Sequence, residues 1–528
     1  MSITRTPLFF GQGLFGWLHA PVTGQRDLAA LICQPLGHEY VNAHRSMRHL
    51  ADRLARAGIP ALRFDYHGTG DSAGTDEDPG RVAAWRASVA EAMQTLRELS
   101  GCPRTALIGF RFGATLAAQF PADVHVLWAP VMRGKSYARE LKALHLTSGN
   151  TGGPDIEPGG FVFTEETQRD LAALTVDVPN AIVLWPDPHA SAGYAEMLAP
   201  PHSTRVPFET LDEIVRQLTV ASSPLPNTTR PRQPATGNRQ QLDGITETLL
   251  PGKVFGILTE PAGGAKPAPA ILLPNAGSVH HIGPSRLYVL LARTLAKQGF
   301  RVIRFDLPGL GDSVVEDASR ENHPYEPPAT PVLAELMPAL GQESYVVAGL
   351  CSGAHAAFHA ARELQDAPVV ESILINPLTF YYEPGMSLDT GPAVNQYSEW
   401  QRYLQLVRSR EGWKKVLHGD VGVGNVLQTV MARFGRTRRT RRNADLAQDL
   451  RRIAESGRRL TFLFSRLDSG YDLLMLSAGP AVRQLQKEGR LQLWRIDGAN
   501  HTFDAKAARE VLLDRLTTHL TERYLSTG

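Results

Sequence analysis

The sequence has few cysteines, no long apolar run and no excess of charge of either sign. Only three of its 528 residues are cysteine, which argues against a disulfide framework and favours a reducing, cytoplasmic compartment. No apolar run reaches the roughly 18 residues that a membrane-spanning helix needs, and the N-terminal residues lack the apolar core of a signal peptide. The 55 lysines and arginines nearly balance the 53 aspartates and glutamates, so the overall charge does not favour nucleic acid as a partner.

The chain contains a long internal repeat. The segment LADRLARAGIPALRFDYHGTGDS, which contains Asp65, recurs about 240 residues later as LARTLAKQGFRVIRFDLPGLGDS, which contains Asp306. Between the copies, residues 222–241 are rich in Pro, Thr, Asn and Arg, a composition typical of a linker. We therefore predict two domains, at residues 1–221 and 242–528, joined by a linker at residues 222–241.

Strand-like and helix-like segments alternate within each copy. In the second copy, the apolar run AILLP is typical of a buried strand, residues 284–299 have helical spacing and end in glycine, and RVIRFD is again strand-like. This alternation predicts an α/β fold with a mostly parallel sheet flanked by helices in each domain.

The second copy contains the sequence GLCSG at residues 349–353, between an apolar strand and a helix of small residues. In this context a G-x-nucleophile-x-G sequence makes a sharp turn that presents the nucleophile, here Cys351. The helix that follows favours negative charge at that position, which suits a thiolate. Ser352 is a poorer candidate, because a frame centred on it needs glycine where Leu350 and Ala354 stand. The alternative is that Cys351 is an inert buried hydrophobic residue.

Candidates for the acid and the histidine follow later strands, in the order nucleophile, acid, histidine. Asp468 follows the strand-like run LTFLFS, and His501 follows the last one, LQLWRI. Asp472 is the alternative acid, and Asp497 is more typical of a turn residue. The alternatives for Asp468 and His501 are a loop cap and a surface turn residue.

The chain resembles the α/β-hydrolase superfamily over nearly its whole length, in both copies. The pattern RFD-x-x-G-x-GDS is similar to a strand-and-turn signature of that superfamily, and the GLCSGA elbow is similar to cysteine-nucleophile members such as dienelactone hydrolases. The elbow and the sequence LPNAG are also similar to exosortase-associated hydrolases of bacterial surface-polysaccharide loci. The resemblance implies ester or thioester chemistry through a covalent acyl-enzyme. We expect a small acyl ester or thioester as substrate, free or carrier-bound, in polysaccharide or secondary-metabolite biosynthesis, and no cofactor.

The roles of the residues follow from this chemistry. Cys351 would attack the acyl carbonyl, with His501 as general base and Asp468 holding the imidazole tautomer. The oxyanion would accept hydrogen bonds from backbone N–H groups of Ser352 and of the loop after residues 271–274. In that loop we expect the donors to be Ala276 and Gly277. A thioester intermediate passes its acyl group readily to an amine or thiol, so acyl transfer competes with hydrolysis.

Three further residues are candidates for contacting the substrate. His280 lies next to the predicted oxyanion loop, although an ordinary loop histidine is an equal alternative. The segment between the sixth strand and Leu460 is much longer in the second copy, which predicts a helical cap at about residues 378–459. The cap contains Trp400 and the run RFGRTRRTRR with Arg438, which could bind an acidic substrate or a carrier phosphate, or could form a solvated helix face. No spacing suggests a metal site.

The first copy lacks the equivalent catalytic set. Its elbow has Arg111 in the nucleophile position, and arginine stays protonated. Asp187 could correspond to the acid, but no histidine follows the last strand expected near residues 203–213, and His202 precedes it. We predict that this domain is inactive, with a structural, partner-binding or substrate-shaping role, and that Arg111 is paired in a salt bridge. The alternative for Arg111 is that it binds an anionic group. The alternative for the whole chain is a non-catalytic tandem scaffold or binding partner.

Overall fold

The computed structural model describes residues 2–147, 153–186, 194–225, 238–250, 252–326, 328–384, 386, 446–466 and 468–525. None of the helices in these ranges combines the length and the apolarity that crossing a lipid bilayer requires. Most of the predicted linker (residues 226–237) and most of the predicted cap (residues 387–445) lie outside the described residues.

The first copy contains seven strands and seven α-helices among its described residues. In chain order they are β1 (Ile3–Phe10), β2 (Leu14–Pro21), β3 (Leu28–Cys33), α1 (His38–Arg56), β4 (Ala61–Phe64), α2 (Arg81–Ser100), β5 (Arg104–Phe110), α3 (Phe112–Ala117), β6 (Val124–Trp128), α4 (Gly134–Thr147), α5 (Glu165–Ala172), β7 (Ile182–Leu184), α6 (Tyr194–Met197) and α7 (Phe208–Val220).

The second copy contains nine strands and six α-helices among its described residues. In chain order they are β8 (Arg239–Leu242), β9 (Ile245–Leu249), β10 (Gly256–Pro261), β11 (Ala270–Pro274), α8 (Leu287–Gln298), β12 (Val302–Phe305), α9 (Ala329–Leu340), β13 (Tyr345–Leu350), α10 (Ser352–Glu363), β14 (Val369–Ile375), α11 (Leu446–Glu455), β15 (Arg459–Ser465), α12 (Ser469–Lys487), β16 (Leu491–Ile496) and α13 (Lys506–Tyr524).

The chain forms two compact units. One comprises Met1–Pro327 and Thr502–Gly528, and the other Pro328–His501. These units do not coincide with the two copies, because residues 242–327 belong to the first unit. The predicted domain boundaries stay predictions.

The strands form one seven-stranded and one nine-stranded sheet. In the first unit, the seven-stranded sheet has the order β1-β2-β4-β3-β5-β6-β7, and β3 to β7 are parallel. The same unit holds β11-β12-β10-β9-β8 of the other sheet, and the second unit holds the parallel strands β16-β15-β14-β13. The prediction of an α/β fold with mostly parallel sheets flanked by helices is confirmed.

One predicted element is wrong. Residues 203–213, expected to form the last strand of the first copy, form no strand, and α7 begins within this segment at Phe208. Its buried residues Leu211, Ile214 and Leu218 recur at spacings of three and four, which puts them on one face of a helix. A strand would have placed Leu211 and Ile214 on opposite faces.

The repeated RFD-x-x-G-x-GDS segments fold in the same way. In the first copy the carboxylate of Asp65 accepts the N–H of Asp71 at 2.9 Å, and in the second Asp306 accepts the N–H of Asp312 at 2.9 Å. The turn requires glycine at position 70, because φ is 49° there and a Cβ would lie 2.0 Å from the Asp65 carboxylate. The repeat seen in the sequence is therefore a repeat of one hydrogen-bonded turn.

Within the first unit, the two repeated segments form ion pairs with each other. Arg63 of the first segment donates to Asp312 of the second, and Arg304 of the second donates to Asp71 of the first. Arg304 also donates to Glu247 at 3.0 Å. All five side chains are buried, so each copy supplies the counter-ion that the other copy's buried arginine needs.

Replacing Asp312 by alanine should strongly destabilise the first unit, because it leaves Arg63 buried without its carboxylate. Breaking a buried ion pair from one side costs about 3–5 kcal/mol of the free energy of unfolding. Urea unfolding followed by circular dichroism measures this, with Glu213→Ala as the control, since Glu213 pairs with Arg216 on the exposed surface of α7. An Asp312→Ala midpoint equal to that of the control would contradict the expectation.

Candidate active site

Cys351 occupies a strained turn between β13 and α10. Its backbone has φ 60° and ψ −115°, a region that non-glycine residues rarely adopt. The Cys351 N–H donates to the carbonyl oxygen of Ile375, the last residue of the neighbouring strand β14, at 3.0 Å. The chain therefore enters the turn from β13 and leaves it as a helix directly after Cys351, which is the geometry predicted for an elbow.

The small residues around Cys351 are required by close packing. A Cβ on Gly349 would lie 2.4 Å from the backbone carbonyl carbon of Gly353, closer than two non-bonded carbon atoms can approach. The Cys351 side chain is only half-buried, whereas Cys33 and Cys102 are buried. Burial raises the pKa of Cys33 to about 12 and also raises the pKa of Cys102. Cys351 is thus the most accessible of the three thiols.

His501 and Asp468 form a direct hydrogen bond. The distance between His501 Nδ1 and Asp468 Oδ2 is 2.6 Å. The other carboxylate oxygen of Asp468 accepts the N–H of Gly470 at 2.8 Å, so Asp468 also caps the N-terminus of α12. The alternative acid, Asp472, lies in the first turn of α12 and is buried. Of the two carboxylates, Asp468 is the one that holds the imidazole.

His501 has a raised pKa. Burial lowers this pKa, but hydrogen bonds to Asp468 and Cys351, together with the charges of both groups, raise it to about 10. The buried Nε2 atom makes no well-aligned hydrogen bond to any described residue. Catalytic hydrogen bonds are often long or poorly aligned before the substrate binds. The imidazole is therefore stabilised in its protonated form by Asp468 on one side and the Cys351 side chain on the other.

The predicted oxyanion donors lie at the ends of two strands. Ser352 is the first residue of α10, where backbone N–H groups have no acceptor within the helix. Ala276 and Gly277 lie one residue beyond the end of β11, in the first unit, and the Ala276 carbonyl accepts the N–H of Val279. The oxyanion role of these three residues stays a prediction.

The predicted substrate contacts have different surroundings. His280 is only 3% exposed, and its ring stacks on that of His44 at 3.9 Å between centroids. Its contact with substrate stays a prediction, which this burial does not favour. Trp400 and Arg438 lie outside the described residues. Helix α11, at the end of the predicted cap, packs into the core of the second unit through residues that include Leu450 and Ile453.

One group of described residues has spacing suitable for a metal ion: His281, Asp306 and Asp312. His281 bonds to Asp306 through Nδ1 at 2.8 Å and to Asp71 through Nε2 at 2.6 Å. Burial lowers the pKa of His281, but the two carboxylates raise it to about 10. A protonated imidazole has no lone pair for a metal, so this group is an ion-pair network.

The elbow of the first copy keeps the backbone but not the nucleophile. Arg111 has φ 55°, close to that of Cys351. Its Nε donates to Glu39 at 2.6 Å, and its terminal nitrogen donates to Glu140. The predicted salt bridge of Arg111 is present. Asp187 lies outside the described residues, and His202 lies in a short 3-10 turn before α7.

One residue of this site, Asn376, was not among those predicted from the sequence. It follows β14 directly, is fully buried and hydrogen-bonds to the backbone carbonyl of His501 at 2.8 Å. The signal in the sequence was an asparagine at the carboxyl end of the apolar strand run SILI, where parallel strands place functional groups.

Comparison with known proteins identifies the family. Residues 249–512, half of the chain, match the model of the alpha/beta hydrolase family. The chain belongs to the α/β-hydrolase family. No curated protein sequence is significantly similar to it.

Solved structures of several hydrolases overlap with about half of this α/β-hydrolase chain. Proline iminopeptidase of Mycobacterium smegmatis is 14% identical over 53% of this chain and 100% of its own, with a TM-score of 0.31. Dienelactone hydrolase of Anabaena variabilis is 14% identical over 53% of this chain and 99% of its own, with a TM-score of 0.32. A carboxylesterase of Nitrososphaera gargenis is 15% identical over 52% and 99%, with a TM-score of 0.29. At these TM-scores the overlaps say nothing about the substrate or the activity of this chain.

Cys351 should react with iodoacetamide faster than Cys33 and Cys102, because it is more accessible and lies beside a protonated imidazole. In His501→Gln, alkylation of Cys351 should slow by about tenfold at neutral pH, since the cation that favours the thiolate is lost. The difference should shrink as the pH rises through about 10, the raised pKa of His501, because the imidazole then loses its positive charge. Peptide mass spectrometry measures the three rates, and equal rates for the three thiols would count against the interpretation.

Proposed function

We propose that the protein is an enzyme that forms a covalent acyl-enzyme at Cys351 from an ester or thioester substrate. The observation that carries the proposal is the 2.6 Å hydrogen bond between His501 and Asp468, in the same compact unit as the elbow with Cys351. The bond fixes the imidazole so that its other nitrogen is the one available for proton transfer. The α/β-hydrolase family membership supports the same reaction class.

The first half of the reaction forms the acyl-enzyme. The Cys351 sulfur, as thiolate, attacks the acyl carbonyl carbon, and the carbonyl oxygen becomes an oxyanion. The bond between that carbon and the leaving oxygen or sulfur then breaks. The protonated Nε2 of His501 gives its proton to the departing alcohol or thiol. The products of this half are the free leaving group and a thioester at Cys351, with neutral His501.

The second half releases the acyl group. Neutral His501 takes a proton from water or from an acceptor amine, alcohol or thiol as this nucleophile attacks the thioester carbon. The carbon–sulfur bond breaks, and the thiolate of Cys351 and the protonated His501 are restored. Since thioesters react readily with amines and thiols, acyl transfer is as consistent with a cysteine nucleophile as hydrolysis is.

The oxyanion needs hydrogen-bond donors. The position of Ser352 at the N-terminus of α10 supports its backbone N–H as one donor. Ala276 and Gly277 remain the proposed source of a second. In comparable enzymes, removing one such donor raises the activation barrier by about 3–4 kcal/mol.

We propose no catalytic role for the first copy. Arg111 cannot act as a nucleophile, and its ion pairs with Glu39 and Glu140 support a structural role. A purely non-catalytic function of the whole chain remains the competing hypothesis, and it predicts that Cys351 never carries an acyl group.

Turnover of a panel of acyl thioesters and activated esters tests the proposal. Cys351→Ala should abolish turnover of whichever substrate the wild type accepts. Asp468→Asn should lower kcat by about 10²- to 10⁴-fold, because the imidazole loses the acceptor that fixes its tautomer. The measurement is the loss of thioester or ester absorbance under substrate saturation.

Asp472→Asn is the matched control, since Asp472 is an aspartate of the same helix turn that does not bond to His501. It should keep most of the activity. If Asp472→Asn were as defective as Asp468→Asn, the assignment of the acid would be wrong. If Cys351→Ala retained activity, the nucleophile would be wrong.

A further inference from the structure

Asn376 is a buried polar residue at the end of β14, and both the nitrogen and the oxygen of its side-chain amide form hydrogen bonds. Its Nδ2 donates to the backbone carbonyl of His501 at 2.8 Å, and its Oδ1 accepts the N–H of Ser465 at 2.8 Å. Its own N–H donates to the carbonyl of Leu463 at 2.9 Å. The residue is fully buried, and its φ is 45°. Asparagine tolerates this positive φ better than most residues.

These contacts connect the three segments that carry the proposed catalytic side chains. Ile375, directly before Asn376, accepts the N–H of Cys351. Ser465, whose N–H the amide binds, accepts the N–H of Asp468 at 3.1 Å through its own carbonyl. The third contact reaches the backbone of His501 itself. The end of β14 is therefore in hydrogen-bond contact with the elbow, the acid segment and the histidine segment.

We propose that Asn376 is a positioning residue that fixes the Asp468–His501 pair relative to Cys351. The proposal rests on the proposed function, because it assigns Asn376 a role through His501 and not through the substrate. Side chains of an active site must be held within a fraction of an ångström of the reactive geometry, and a displacement of about 1 Å can cost 10²-fold in rate.

The first copy contains a natural comparison. Ala129 follows β6 as Asn376 follows β14, and it also has φ 45°. Its N–H donates to Leu184 at 2.8 Å, and the preceding residue, Trp128, accepts the N–H of Arg111 at 3.0 Å. The backbone contacts are thus the same in both copies. The amide side chain stands in the copy that has a cysteine at the elbow, and alanine stands in the copy that has an arginine.

This comparison separates two possible reasons for the asparagine. The backbone turn does not require an amide, because alanine adopts it in the first copy. The side-chain hydrogen bonds of Asn376 go to segments that carry Asp468 and His501, so their role is to hold those segments. Asn376→Ala should consequently fold, as Ala129 does, but hold His501 less well.

The test compares Asn376→Ala with Ser372→Ala and His501→Gln. Ser372 lies on the same strand, is buried and donates one hydrogen bond to the carbonyl of Ala357 at 2.7 Å, away from the proposed catalytic residues. The readout is the rate of Cys351 alkylation by iodoacetamide as a function of pH, with thermal unfolding measured for each variant. His501→Gln is the reference variant, because it gives the pH dependence of Cys351 alkylation in the absence of the imidazole.

Asn376→Ala should lower the alkylation rate at neutral pH by about 3- to 10-fold, up to the loss expected for His501→Gln, and move the pH profile toward that of His501→Gln. Ser372→Ala should keep the wild-type profile even where its unfolding temperature falls. A wild-type profile in Asn376→Ala would overturn the proposal, and so would identical profiles of His501→Gln and wild type. If Asn376→Ala does not fold, Asn376→Ser, with a small polar side chain too short for both contacts, takes its place.

The proposed function and the positioning role fail in different ways. Acylation of Cys351 by an acyl thioester is measured on the same variants. If wild type is never acylated but Asn376→Ala still changes the alkylation profile, the enzymatic proposal fails and the positioning role stands. If wild type and Asn376→Ala are acylated at the same rate with the same pH dependence, the positioning role fails and the enzymatic proposal stands.

Discussion

The hydrogen bond between His501 Nδ1 and Asp468 Oδ2 is the interaction on which the proposed chemistry depends. It determines the tautomer of the imidazole, and with Cys351 it raises the pKa of His501 to about 10 against the effect of burial. The carboxylate is itself held by the N–H of Gly470 at the start of α12. A helix terminus, a carboxylate and an imidazole thus form one chain of hydrogen bonds that ends at the imidazole, beside the Cys351 side chain.

The parallel strands explain how residues so far apart in sequence meet. Cys351, Asn376 and Asp468 follow the strands β13, β14 and β15, which are parallel neighbours, and His501 follows β16. The same strand ends exist in the first copy, with Arg111 and Ala129 in the corresponding turns at nearly the same φ. The backbone of these turns is thus the same in both copies, whereas the proposed catalytic side chains, Cys351, Asp468 and His501, are present only in the second. In the first unit, the two copies are instead connected by buried ion pairs, in which the arginine of each copy bonds to an aspartate of the other.

Much of this could be predicted from the sequence, for physical reasons that also explain the failures. The repeated RFD-x-x-G-x-GDS motif and the alternation of strands and helices predicted the α/β fold, because both depend on local patterns. The choice between Asp468 and Asp472 was open, since both lie near the end of β15 and the sequence does not say which carboxylate faces the imidazole. The region of α7 was misjudged as a strand because its apolar residues were read without their helical spacing. Asn376 was missed because its partners are 89 and 125 residues away.

The most direct test of the central claim is intact-protein mass spectrometry after brief incubation with acyl thioesters and activated esters, followed by peptide mapping. We expect a mass increase equal to one acyl group, located on Cys351, absent in Cys351→Ala and removed by hydrolysis or by added amine or alcohol acceptors. An adduct that persists in Cys351→Ala, or the absence of any adduct across the whole panel, would contradict it.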